Sequence, residues 1–334
     1  MNLLSQPIVL IVFALVITSM LLLDLGVFNR KSHVVSNKEA VFWSLVWIAL
    51  SMAFSLFVLW QTNMEKFAQF QSAYWIEKAL SVDNLFVFIL VFNFFNVSRS
   101  VHHKVLFWGI LGALIMRAIF IFSGVQLIEW TYLPEMPIFG QVVKINILLT
   151  GFGLFLIYAG VKSWFVDDDD DDEKDFSTSP GAKFVHRFFK VSKEFDGDKF
   201  FTIQNGIKLA TPLLVVVGVI EFTDLLFAVD SIPAIFAIAP NDPFILYTSN
   251  IFAILGLRSL YFLLANFIHM FSKLKYGLAI ILSFIGMKMV ISPFYHIESL
   301  TSLLIVVGFL IISLVWSIAT AEKENENSET TQES

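Results

Sequence analysis

The stretch EFTDLLFAVDSIPAIF, residues Glu221–Phe236, sets three carboxylates (Glu221, Asp224 and Asp230) in a run otherwise apolar enough to cross a membrane. An acid at the centre of a lipid-embedded helix costs ~2.5–3.5 kcal/mol. The run therefore belongs in a bilayer only if something compensates its charges. The rest of the chain decides whether a bilayer is its setting.

Of 334 residues, 57% are hydrophobic and 16% aromatic, with 37 Phe and a mean hydropathy of +0.76. Charged residues make up only 15%, against ~25% in ordinary globular domains. These values indicate an all-α polytopic membrane protein. Length and hydropathy predict nine spans, near residues 7–28, 40–60, 73–95, 105–128, 142–165, 211–237, 248–270, 276–294 and 300–320. The first has a full-length apolar run and no basic leader, so it is expected to be retained.

Basic residues cluster in alternate connections: Arg30, Lys31 and Lys38; Arg99 and Lys104; eight Lys/Arg from Lys162 to Lys208; Lys273 and Lys275. The opposite set holds Lys66 and Lys144 and little else. By the positive-inside rule the N-terminus faces out and the C-terminus is cytoplasmic. The chain divides into spans 1–5 (1–165), an acidic cytoplasmic loop (166–210), spans 6–9 (211–320) and a disordered tail (321–334). The loop contains DDDDDDEKD, SPG and the amphipathic KFVHRFFKVSKEF. Its acid run repels itself and reads as solvated.

The opening stretch has a counterpart upstream. EKALSVDNLFVF (77–88) and DLLFAVDSIPAIF (224–236) share an acid, five residues, then Asp and a small polar residue. Glu77 aligns with Asp224, Asp83 with Asp230, and Asn84 with Ser231. GALIMR, ending at Arg117, matches AILGLR, ending at Arg258; YAGVK, ending at Lys162, matches FIGMK, ending at Lys288. Spans 3–5 thus recur as spans 6–8 with opposite topology, an inverted repeat of the kind that frames substrate sites in secondary transporters.

Glu77, Asp83, Glu221, Asp224 and Asp230 lie within spans, as do Arg117 and Arg258. Unpaired, the seven would cost roughly 20 kcal/mol. Salt bridges to the two arginines account for part of this. Three negative charges remain, or two if Lys78 turns inward. A bound cation or protonated carboxylates would close the balance. The donors on offer are carboxylates, the Asn84 amide, the hydroxyls of Ser81, Thr223 and Ser231, and backbone carbonyls. Such hard oxygens suit Mg²⁺, Ca²⁺ or Mn²⁺. Glu77, Ser81 and Asn84 share a helical stripe, as do Glu221 and Asp224, with Ser231 seven residues beyond Asp224. Asp83 and Asp230 join them only if the helices bend. Pro233 supplies a cause in span 6, because it cannot donate to the Val229 carbonyl.

Other polar residues read as structural. His102, His103 and His186 fall in cytoplasmic loops and His269 and His296 near span ends, all in solvated positions. Asp24 is either an interfacial ion pair with Arg30 or an exit-path group. Lys162 and Lys288 can snorkel. With no Cys, thiolate metal sites and thiol chemistry are excluded. No Walker sequence, HExxH or Ser-His-Asp context is present, so no enzyme activity and no permanent cofactor is expected, and no nucleic-acid partner.

The blocks DLGVFNR, KEAVFWSLVWIAL, EKALSVDNLFVF, WGILGALIMR, EFTDLLFAVDSIPA and GLRSLYFLL resemble the TerC family of bacterial integral membrane proteins, in particular its Alx-like branch. The resemblance spans nearly the whole chain. It implies a manganese-exporting protein of the bacterial inner membrane, from a family associated with tellurite resistance. The family's acidic motif maps onto Glu77, Asp83, Asn84, Glu221, Asp224, Asp230 and Ser231. The expectation is secondary export of divalent metal, Mn²⁺ first among candidates, with Arg117 and Arg258 holding the carboxylates and protons as the exchange partner. The competing readings are a non-transporting scaffold with a structural cation, associated with other inner-membrane proteins, and a proton or monovalent-cation pathway.

Overall fold

The computed structural model describes residues 11–20, 36–138, 141–165, 175–204, 206–266, 274–295 and 297–332. Within these, side chains are described except at Asp83, Phe86, Ile138, Val229, Asp230, Asn266, Leu274 and residues 321–332. The six-Asp run, Asp24, His269 and His296 lie outside the described residues.

The chain is built from helices: α1 (Ile11–Met20), α2 (Asn37–Gln61), α3 (Met64–Phe94), α4 (His102–Trp130), α5 (Ile147–Phe165), α6 (Pro180–Phe188), α7 (Pro212–Phe236), α8 (Pro243–Leu255), α9 (Leu257–Asn266), α10 (Leu274–Ile291) and α11 (Ser299–Gln332). Their starts carry the expected caps. Ser36 accepts from the Glu39 amide at 3.3 Å, Asn63 from Lys66 at 2.9 Å, and Asp242 from Ile245 at 3.1 Å. Proline opens α6, α7 and α8 at the first helical turn, where its missing N–H is harmless.

Among the described residues, five helical stretches are long and apolar enough to cross a membrane: Asn37–Gln61, Arg99–Trp130, Ile147–Phe165, Pro212–Phe236 and Ser299–Thr320. The pair α8–α9, bent by 40° at Gly256, makes up to six. The remaining predicted spans fall where α1, α3 and α10 lie. Several boundaries differ from expectation. Span 3 begins nine residues early, at Met64, because the Asn63 cap starts the helix in a polar segment. Span 5 begins at Ile147 rather than 142. The preceding residues form the hairpin β1 (Met136–Ile138) and β2 (Gln141–Val143). The connection 166–210 is not only loop: it holds α6 and a second hairpin, β3 (Phe201–Gln204) and β4 (Ile207–Ala210). Helix continues in α11 to Gln332, through most of the stretch expected to be disordered.

Directions follow from residue contacts. Lys66 on α3 pairs with Asp242 at 2.6 Å, and Lys78 on α3 reaches the Ala253 carbonyl at 3.3 Å, so α3 and α8 run parallel. Gly109 and Gly112 on α4 approach Ile220 and Glu221 on α7, and Gly124 approaches Phe236, so this pair is parallel too. The most extensive packing is between α5 and α10, and it is antiparallel. A Cβ at Gly286 would lie 2.5 Å from the Gly153 carbonyl oxygen; one at Gly160 would lie 2.6 Å from the Ala279 carbonyl oxygen. In the YAGVK/FIGMK alignment Gly160 corresponds to Gly286 and Gly153 to Ala279. Each contact is therefore the other with the two segments exchanged, which is what a two-fold axis between α5 and α10 produces.

The α3–α4 corner and the α5–α7 connection share one end of the bundle, where Lys104 Nζ binds the Asp198 carbonyl at 2.6 Å and its carboxylate at 3.0 Å. Lys66 and Asp242 mark the opposite end. Helix α6 is seated on α7 where Gly181 meets Gly218, since any side chain there would strike backbone.

Candidate functional site: a buried acid–arginine node

Four helices meet at Arg117. The side chain is 1% exposed on α4; its Nη1 donates to Glu77 Oε1 of α3 and to Asn250 Oδ1 of α8 at 3.4 Å, and its Nη2 donates to Asp224 Oδ1 of α7 at 3.2 Å. Glu77 is fully buried and Asp224 nearly so. A planar fork suits this task, because one guanidinium can face two carboxylates from different helices. Arg117 thus bridges two of the motif carboxylates, Glu77 and Asp224.

The node leaves polar atoms over. Among the described residues, Glu77 Oε2, Ser81 Oγ, Ser231 Oγ and Asn250 Nδ2 are buried without a hydrogen-bond partner. Buried polar atoms are normally satisfied, so these oxygens on the predicted stripes are unusual. Thr223 behaves differently. Its hydroxyl donates to the Val219 carbonyl of its own helix at 2.7 Å.

Glu221 is half-buried and lies against Gly112, where any Cβ would collide with its carboxylate. Asn84 and Ser231, equivalent in the repeat alignment, both line one cavity of about 410 Å³. That cavity also takes in α5 and α10 and is lined by Lys162, which is exposed. Arg258 is buried at 1% exposure, beside Asp224 on the wall of a small pocket. Asp83, Asp230 and Val229 fall within the helical backbone, and their side chains lie outside the described residues. Helix α7 runs unbroken across Pro233, so its backbone geometry leaves the Val229 carbonyl without its usual donor. Helix α3 is likewise continuous. Among the described residues, no three His, Asp or Glu side chains converge as a metal-binding group.

Lys78 does turn inward. It is 7% exposed, and its ammonium meets the Ala253 carbonyl near the α8–α9 break at Gly256. A cation there compensates the negative end of α8. With Lys78 inside, the five intramembrane acids are set against three cations (Lys78, Arg117 and Arg258), and the surplus inferred from the sequence comes to two negative charges.

Two other readings need correction. His102 and His103 are not solvated: they are 7% and 5% exposed. His102 stacks on Phe92, with centroids 4.0 Å apart, and bridges the Val97 carbonyl and the Tyr261 hydroxyl at 3.0 Å each. The apolar corner after α3 folds over them. Lys288 is also buried, at 8% exposure, and does not snorkel as Lys162 does. His186 is exposed as expected. Asn250 was missed, although TSN (248–250) is a polar run inside a predicted span and signalled a buried polar contact.

A family model described as integral membrane protein TerC family matches residues 62–327. An uncharacterized membrane protein of Myxococcus xanthus is 44% identical over 308 residues, covering 92% of this chain and 90% of its own. In Escherichia coli strain K12, Alx, provisionally named a membrane-bound redox modulator, is 40% identical over 324 residues, covering 94% and 95%. A membrane protein of Rickettsia bellii is 38% identical over 308 residues, covering 92% and 96%. No solved structure matches.

Proposed function

The chain belongs to the TerC family of integral membrane proteins, and from that premise we propose that it is a secondary transporter exporting a divalent cation, Mn²⁺ foremost, across the bacterial inner membrane. The observation that carries this reading is the Arg117 node. It holds Glu77 and Asp224, which are equivalent in the repeat alignment, and unpartnered oxygens remain on Glu77 itself, on Ser81 one turn along α3 and on Ser231 two turns along α7. Hard oxygen donors of this kind favour Mg²⁺, Ca²⁺ and Mn²⁺ over soft metals; the family resemblance selects Mn²⁺ among them.

In this proposal α3 and α7 are the central helices of an inverted repeat. The reciprocal α5–α10 contacts and the parallel pairs α3–α8 and α4–α7 support that reading. Asp83, Asp230, Asn84 and the Val229 carbonyl complete the ligand set, and Arg117 and Arg258 are positioning residues. The surplus acids make proton exchange the natural coupling. The name given to Alx suggests a redox role. A chain without cysteine performs no thiol–disulfide exchange, so any redox effect here would follow from the ion moved.

A second reading is a non-transporting scaffold in which a cation held beside the Arg117 cluster is structural. Cellular manganese content, with and without the protein and with Asp83→Asn or Asp230→Asn, separates the two. A transporter variant stays folded while manganese accumulates; a scaffold variant loses thermal stability and abundance first, with manganese unchanged. Efflux from proteoliposomes that ignores an imposed pH gradient would exclude proton coupling.

A further inference from the structure

We propose that the cavity between the start of α3 and the end of α10 is a binding site for one phosphate-class oxyanion. The cavity holds about 280 Å³ and lies at the Lys66–Asp242 end of the bundle, away from the Arg117 node. Lys288, Lys144, Gln69, Tyr132, Thr150 and Ser299 line it, and among the described residues none that lines it is acidic.

Lys288 is the unusual member. It is more than nine-tenths buried, and no hydrogen bond or ion pair reaches its ammonium among the described residues. Burying an ammonium without a partner is costly, and an anion held in the polar cavity that Lys288 lines would relieve that cost. Its place in the last turn of α10 compensates part of its charge. The N-terminal turn of α11 opens onto the same space at Ser299, with N–H groups of the kind that bind oxyanions, whereas at the start of α5 the amides of Ile147, Leu149 and Thr150 are already taken by Thr131 and Asn146. The carbonyl ends of α7 and α10 form the other wall, so the two ammonium groups decide the sign of the field. Lys144 sits 4.9 Å over the Tyr132 ring and is exposed, able to swing to the cavity mouth.

Of the neighbouring charges, Glu298, between the lining residues Ile297 and Ser299, is exposed, and Lys66 and Glu65 are engaged elsewhere. Lys66 is paired with Asp242 at 2.6 Å and also donates to Gln69 Oε1 at 3.1 Å; Glu65 accepts from Gln69 Nε2 at 3.2 Å. Neither neutralises Lys288. The same chemistry would accept inorganic phosphate from solution or the phosphate of an anionic lipid.

The test uses the full chain in phosphatidylcholine nanodiscs titrated with radiolabelled inorganic phosphate at constant ionic strength. A parallel arm measures phosphatidylglycerol retained in mixed-lipid nanodiscs by native mass spectrometry. Saturable phosphate binding identifies a free anion, and selective phosphatidylglycerol retention identifies a lipid headgroup. Either should weaken about tenfold or more in Lys288→Met, the loss expected of one charge-assisted hydrogen bond, and less in Lys144→Ala. Should Lys288→Met fail to fold, Lys144→Ala alone decides. Phosphate and phosphatidylglycerol binding that is absent, or unchanged in the variants, overturns the proposal.

Discussion

Glu77 on α3 and Asp224 on α7 bind the same guanidinium, that of Arg117 on α4. The arrangement ties three helices at one buried point, and Asn250 adds α8 as a fourth. Its strength lies in completeness: remove the arginine and two carboxylates are left buried without a counter-charge.

Arg117→Met should therefore destabilise the protein by about 3–5 kcal/mol, the usual cost of breaking a buried ion pair from one side. Thermal unfolding in detergent and cellular abundance would report it. Adding Glu77→Gln and Asp224→Asn should recover much of the loss, since neutral amides need no counter-charge. Arg117→Lys should recover less, because a point ammonium cannot face both carboxylates as a planar fork does.

At Gly112 a single methyl group should disturb Glu221. The added Cβ would occupy the space of its carboxylate, so Gly112→Ala forces either a new Glu221 rotamer or a wider α4–α7 spacing, at about 1–3 kcal/mol. Manganese efflux measured beside thermal stability tells which occurs. A displaced carboxylate should lower efflux more than stability, and Glu221→Gln should reproduce the efflux loss alone.

Two glycines of α5 should respond with opposite signs. A Cβ at Gly160 meets the Ala279 carbonyl and Ser283 of α10, whereas one at Gly151 meets nothing within 4 Å. Gly160→Ala should lower the unfolding temperature by wedging α5 from α10. Gly151→Ala should raise it, by the ~0.4–1 kcal/mol gained when a helical glycine becomes alanine without strain. Equal responses would show that α5 and α10 are not in close contact.

The Lys104–Asp198 contact gives a pH signature outside the membrane. The hydrogen bond from Lys104 holds the Asp198 carboxyl below its ordinary range. A depressed folded-state value stabilises the protein above the ordinary carboxylate range, and that contribution disappears as pH falls through the folded value. Asp198→Asn should remove this slope from unfolding temperatures measured below about pH 5, where the carboxylate range begins. The pair is largely exposed, so the effect is at most about 1 kcal/mol.

Much of the fold was legible because membrane insertion depends on properties that add along the chain. Span 6 was predicted at 211–237 and found at Pro212–Phe236, since Pro212 and a long apolar run suffice to define it. Span 3 was misjudged at its start: Glu65, Lys66 and Gln69 hide a helix from hydropathy, and only the Asn63 cap reveals it. The bend at Gly256 was invisible for a related reason. AILGLRSL contains no proline, and that a side chain at Gly256 would strike Lys78 and meet Trp47 on other helices is seen only in three dimensions.

Alone, the amino-acid order determined that this chain is helical and apolar, that its acids fall on recurring stripes in two segments, and that negative charge exceeds what two arginines can balance. Local chemistry and periodicity decide those properties. Which carboxylates Arg117 binds, that Lys78 and His102 turn inward, that Asn250 joins the node, and that Lys288 faces a cavity rather than solvent were settled only in three dimensions. Pairing of buried charges depends on distances between helices far apart in sequence, and no local pattern encodes those distances.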